Sequence, residues 1–163
     1  AVGLAVAMPG TTSLAFDTDK KAQQSCSDLA KKNGVIERVK IGERFDVDKF
    51  SQYESHNALV LCDIEGSEKD LLDPIKAPSL SNLDIIVESH ECLVSGITEE
   101  LMDRFSHTHN ITKIEDTGER RLENAPDWFG ELAHLDQLLA TWEWRSGPTP
   151  WLVMDAKNRE GFL

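Results

Sequence analysis

Residues 58–74 read ALVLCDIEGSEKDLLDP, and the change of character inside this stretch decides how the chain is read. Ala58 to Cys62 form a short apolar run, the composition of a strand buried on both faces. Asp63, Glu65, Glu68 and Asp70 follow at once. An apolar strand that stops on carboxylates fits a parallel sheet, because ligands of open parallel sheets collect outside the carboxyl ends of the strands. Gly66 supplies the backbone freedom to turn there. Glu68 and Asp70 are placed to meet the positive end of a helix running from about Glu68 to Ile75.

The same alternation extends both ways. Upstream, TTSLAFDTD (11–19) is a strand introduced by the turn pair Pro9-Gly10. Thr18 to Asn33 then reads as a helix with Ala22, Cys26, Leu29 and Ala30 on one face, stopped at Asn33-Gly34. IERVKIGERF (36–45) alternates like a strand, and Asp46 is placed to cap a short helix carrying Phe50 and Tyr53. Downstream, NLDIIVESH (82–90) is an apolar strand ending on charge. Thr98 has the character of an N-cap, with Ile97 and Met102 as a hydrophobic staple, for a helix ending near Phe105. The strand NITKIED (110–116), a helix between Gly130 and Trp144, and the strand WLVMDA (151–156) complete the order. Strand and helix in alternation predict one α/β domain over residues 1–163, its sheet mostly parallel and covered by helices on both faces.

Charge and cysteine usage narrow the function classes. A formal net charge of -12 and a pI near 4.8 repel a phosphate backbone, so no nucleic-acid partner is expected. No apolar run is long enough to span a bilayer, so no membrane partner is expected either. Cys26, Cys62 and Cys92 are odd in number and contain no C-x-x-C pair, which suits a reducing, cytoplasmic setting. The opening AVGLAVAMPG has no basic flank and is short for a signal peptide.

Three strands end on acids at matching places: LAFD on Asp17, LVLCD on Asp63 and IIVE on Glu88. An acid after the second strand of a nucleotide-binding sheet accepts hydrogen bonds from both ribose hydroxyls. The alternative for Asp17 is a helix cap, a task Thr18 or Asp19 could also perform. Histidine is the residue type suited to a general base near neutral pH, which makes His90 the candidate, and the alternative for it is a loop histidine bonded to backbone. His107 and His109 could form a metal pair but better suit an exposed turn between helix and strand, and Trp128, Trp142, Trp144 and Trp151 suit packing rather than a stacking platform.

AVGLAVAMPGTTSLAFDTDKKAQQSCSDLAKKNGV resembles the region after the first motif of class I S-adenosylmethionine-dependent methyltransferases. CDIEGSEKDLL is similar to the D-x-E-G-x-E segment of the FkbM-like branch of that family, and DIIVESHE to its V-E-x-H strand. The resemblance is clearest from Ala1 to Leu93 and fades between Glu115 and Pro126. It implies a Rossmann-like methyltransferase sheet, mostly parallel with an antiparallel C-terminal strand. It also implies that a glycine-rich loop and a central strand precede Ala1.

The resemblance further implies S-adenosylmethionine as cofactor, with Asp17 on the ribose and Thr18 beside the adenine. Gly42 and Glu43 would border the adenine from the other side, and Asp63 would approach the methionine end. Glu65, Glu88 and His90 would face a small-molecule methyl acceptor, with His90 as base and Glu88 orienting it or anchoring a polar substrate. A homodimer is compatible with this reading. Asp63, Glu65, Glu68 and Glu88 are also hard oxygen donors suited to a cation, although the D-x-E-G-x-E pattern does not demand one and no metal is assigned. The competing functions are a non-catalytic methyltransferase-like fragment or binding module, and an NAD-dependent oxidoreductase. The second is disfavoured because Tyr53, the only tyrosine, has no Tyr-x-x-x-Lys partner.

Overall fold

A computed structural model of the 163-residue chain describes residues 1–117, 122, 124–142 and 145–158. The chain divides into two compact units, Ala1–Lys49 and Phe50–Leu163.

The first unit contains helix α1 (Val2–Ala7), strand β1 (Ser13–Phe16), helix α2 (Lys20–Lys32) and strand β2 (Val39–Gly42). β1 and β2 pair in parallel, from Ser13 opposite Val39 to Phe16 opposite Gly42. Its core joins Val2 and Ala5 of α1 to Ala30, Val35 and Val39, with Cys26, Ile36 and Ile41 packed against them. Asp19 caps α2 by accepting the Lys21 N–H, and Gly34 takes the left-handed conformation (φ 67°) just past the helix end. Residues 36–38 alternate like a strand in sequence but form a 3-10 turn, Ile36–Arg38. The Arg38 guanidinium donates from this turn to the carbonyls of Met8 and Thr11, tying it to the entry into β1.

The second unit holds strand β3 (Leu59–Cys62), helix α3 (Glu68–Leu71), strand β4 (Asp84–Glu88), helix α4 (Ile97–Phe105) and strand β5 (His109–Ile114). Helices α5 (Asp127–Gly130) and α6 (His134–Thr141) and strand β6 (Trp151–Ala156) follow. The sheet order is β3-β4-β6-β5. β3 and β4 are parallel, and β6 is antiparallel to both β4 and β5, so β5 runs in the direction of β3 and β4. β4 is central and buried along most of its length, which is why it reads as a continuous apolar run. Leu80, Leu83 and the α4 face Ile97, Leu101 and Phe105, spaced four residues apart, are fully buried as well. Each such side chain contributes about 1.5–3 kcal/mol by leaving water.

The α/β class and the antiparallel last strand agree with the sequence reading, whereas one Rossmann-like sheet is not observed. The strands fall into a two-stranded parallel sheet and a four-stranded mixed sheet. A sheet is continuous only where neighbours exchange backbone hydrogen bonds, and β1 and β2 exchange theirs with each other alone.

Several element boundaries also differ. The helix expected from Glu68 to Ile75 is the single turn Glu68–Leu71, cut short ahead of Pro74. Gly96, with φ 79°, is the N-cap of α4 in place of Thr98, so Ile97 and Met102 do not form a staple. The helix expected between Gly130 and Trp144 is the shorter α6, with α5 ending at Gly130 before it, and Trp144 lies outside the described residues. Trp128 and Trp142 are exposed rather than packed. Among the described residues no helix is long and apolar enough to cross a membrane.

Candidate functional site

Because β3 and β4 are parallel neighbours, with Cys62 opposite Val87, their carboxyl ends deliver side chains to one place. Asp63 follows β3 directly, Glu88 closes β4, and His90 lies two residues beyond it. The chain after β3 turns through two consecutive left-handed residues, Glu65 (φ 52°) and Gly66 (φ 93°). A non-glycine residue held there stores roughly 1–3 kcal/mol of strain, a cost that recurs where a side chain must be aimed.

His90 is fully buried at the centre of this group. Its Nδ1 lies 2.5 Å from Oε1 of Glu68, which is itself fully buried. An ionised carboxylate can only accept, so Nδ1 carries a hydrogen and directs it at Glu68. Nε2 has no hydrogen-bond partner among the described residues. It faces Oε2 of Glu65 at 3.4 Å and Oδ1 of Asp63 at 3.6 Å, both on exposed side chains. The Glu68 carboxylate also accepts the Gly66 N–H at 3.1 Å, so one buried acid holds both the turn and the imidazole. The His90 carbonyl accepts from the N–H groups of Leu93 and Val94, fixing the backbone from which the ring projects.

Arg145 closes the other side. Its guanidinium donates to Oε2 of Glu65 at 3.0 Å and lies 3.3 Å from Oε1 of Glu88. Burial works against the Arg145 charge, but the carboxylates of Glu88, Glu65 and Asp63 outweigh it and hold its pKa above the usual value. Burial raises the Glu88 pKa, and the Asp63 charge adds to the rise, while the Thr149 hydroxyl, Arg145 and His90 oppose it. Burial likewise pushes the Cys62 thiol up to about 12, leaving it a neutral packing residue at neutral pH. A cleft of about 390 Å³ shares Arg145 and is lined also by Asp116, Thr117, Leu138, Trp142 and Pro148.

Two expected roles change. Glu88 does not orient His90; Glu68 does, and Glu88 is paired with Arg145. Glu68 is expected from sequence chiefly to meet the helix dipole, and its complete burial against His90 makes it part of the site. Glu68 had a signal, as the last acid of D-x-E-G-x-E. Arg145 had none, being 80 residues from Glu65 in sequence. His109 is not in an exposed turn: it opens β5 fully enclosed, with Nε2 2.9 Å from the Leu83 carbonyl.

The expected cofactor residues Asp17, Thr18, Gly42 and Glu43 lie at the carboxyl ends of β1 and β2 in the first unit. Asp17 is exposed, and its Oδ1 accepts the Asp19 N–H at 2.8 Å while Asp19 performs the helix capping. Thr18 is exposed between them. A Cβ on Gly42 would come within 2.5 Å of the Phe16 ring, so packing explains this glycine. The Glu43 carboxylate is ion-paired with Lys20. No known family model matches the chain, and no curated protein matches it.

Proposed function

We propose that the chain serves S-adenosylmethionine-dependent methylation of an oxygen on a small molecule or sugar. The observation that carries this reading is the buried, unpartnered Nε2 of His90, aimed between Asp63 and Glu65 at the carboxyl ends of β3 and β4. Those residues are the ones that the resemblance to D-x-E-G-x-E and V-E-x-H singles out. Such a face suits a hydroxyl that must be held and relieved of its proton. S-adenosylmethionine would supply a methyl group on a sulfonium, whose carbon–sulfur electron pair stays on sulfur as the oxygen–carbon bond forms.

The chain's own contribution is then positioning and proton removal. Glu68 holds His90 Nδ1 and so keeps Nε2 turned toward Asp63 and Glu65. Arg145 and Glu88 offer a donor and an acceptor to other polar groups of the acceptor molecule. The neighbouring cleft has a volume suited to a small ligand, and the partly exposed Trp142 offers a ring for the apolar face of a sugar. Asp17 fits a ribose, because its described bond uses Oδ1 and leaves the other oxygen facing solvent. Gly42 and Glu43 are committed to Phe16 and Lys20, so no task toward the cofactor is built on them. The acidic surface suits a small-molecule partner, and the free Cys26, Cys62 and Cys92 suit a reducing compartment such as the cytoplasm.

Calorimetric titration with S-adenosylhomocysteine and with NAD tests the reading. Binding of S-adenosylhomocysteine, lost in Asp17→Ala with the melting temperature unchanged, is the expected outcome. Binding of NAD alone would overturn the reading in favour of an oxidoreductase, and binding of neither in favour of a non-catalytic module.

A further inference from the structure

We infer that Asp63, Glu65 and His90 form a binding site for a divalent first-row transition cation. Their ligand atoms lie within 4.8 Å of one another. The separations from His90 Nε2, 3.4 Å to Glu65 Oε2 and 3.6 Å to Asp63 Oδ1, are close to those of ligands sharing one ion. Two donors at about 2.1 Å from a common ion are about 3.0–3.4 Å apart in octahedral or tetrahedral coordination. A shift of a few tenths of an ångström by the two exposed side chains brings each carboxylate to that spacing from Nε2.

Acidic groups near one another are common, and the decisive feature is the imidazole. Burying a polar nitrogen without a partner is costly, yet His90 Nε2 is buried, has no hydrogen-bond partner among the described residues and lies beside the two carboxylates. At 3.4 Å and 3.6 Å the two carboxylate oxygens converge on Nε2 without a hydrogen bond to it, an arrangement that a cation held between the neutral ring and both carboxylates would complete. The other ring nitrogen donates to Glu68, completing the carboxylate–histidine–metal relay that fixes tautomer and orientation in metal sites. Charge points the same way. Among the described residues, Arg145 is the only Lys or Arg ion-paired with any of Asp63, Glu65, Glu68 and Glu88. Arg145 and Glu65 already share Oε2, which keeps a second lone pair for the ion. One imidazole with two carboxylates favours Mn²⁺ or Zn²⁺ over Mg²⁺ or Ca²⁺, which prefer oxygen alone. Two exposed ligands leave open positions for solvent or a hydroxyl.

The cation's task rests on the proposed methyl transfer and would replace proton removal by His90, whose Nε2 is then a ligand: a hydroxyl bound to the cation would become acidic enough to release its proton to solvent before the methyl group arrives. The binding itself does not depend on that reaction and is measured without cofactor or acceptor. Titration of the metal-free chain with Mn²⁺, followed by electron paramagnetic resonance, should show one site at least tenfold tighter than Mg²⁺ measured by competition. Asp63→Asn and Glu65→Gln, both at exposed side chains, should each weaken Mn²⁺ at least tenfold with unchanged melting temperature. Glu68→Gln should weaken it about 10–100-fold through the relay. Asp70→Asn, outside the cluster, should leave affinity unchanged. Absence of Mn²⁺ and Zn²⁺ binding below millimolar concentration, or equal affinity in Asp63→Asn and Glu65→Gln, overturns the inference. Either result leaves the S-adenosylhomocysteine titration to judge the methyltransferase reading separately.

Discussion

Two histidines in this chain are buried to the same degree and do opposite things with their nitrogens. His90 spends one nitrogen on Glu68 and leaves the other aimed at carboxylates. His109 spends both: Nε2 meets the Leu83 carbonyl and Nδ1 lies 2.9 Å from the Thr108 hydroxyl. A carbonyl only accepts, so His109 carries a hydrogen on Nε2. Burial, opposed by the Leu83 bond and by Asp84 and Asp155, pulls its pKa below the ordinary value of 6.5. A histidine with a depressed folded pKa stabilises the protein above its unfolded value, because only the unfolded chain gains the proton first. That stability is lost as pH falls from 6.5 toward the lower folded value. Urea denaturation of the wild type should therefore weaken over that window. His109→Gln should be less stable at neutral pH and should lose that part of the pH dependence; an unchanged slope would show that His109 is not the group responsible.

Among the elements, α4 illustrates how a helix start can be misread. Gly96 takes φ 79° and its N–H donates to Glu91, while Thr98 sits inside the helix. The Thr98 hydroxyl donates to the same Glu91 at 2.8 Å and accepts from Ser89. One glutamate therefore performs from outside the helix what a capping threonine would do from its first residue. The Gly96 N–H bond, followed by burial and the Thr98 bonds, is what moves the Glu91 pKa, and the net direction is down. A Cβ on Gly96 would touch nothing, so Gly96→Ala isolates the backbone cost, about 1–2 kcal/mol of destabilisation. Gly3 is exposed within α1 and a Cβ there also touches nothing, so Gly3→Ala should stabilise by about 0.4–1 kcal/mol. Opposite signs from one substitution, measured by chemical denaturation, would separate the two backbones; a shared sign would refute the left-handed cap.

For the whole molecule, a net charge of -12 sets the long-range behaviour. An acidic surface repels polyanions at any separation within the screening length, about 8 Å at physiological salt. The chain should give no mobility shift with duplex or single-stranded nucleic acid, and a shift abolished by salt would contradict the acidic-surface argument.

The α/β class, the strands carrying Leu14, Val60, Ile86 and Val153, and the acids closing them were legible because they follow from local periodicity and burial. So was the gathering of Asp63, Glu65, Glu88 and His90, since parallel neighbours must deliver their carboxyl ends together. Tertiary structure decided the rest. Glu68 became the partner of His90 because α3 turns its first residue inward, where a buried acid needs a donor. Arg145 reached the site from a distant loop because the carboxylates of Glu65 and Glu88 needed a cation. Periodicity is a property of neighbours along the chain, whereas compensation of buried charge is a property of neighbours in space. The sequence by itself determined the first; only the folded chain decided the second.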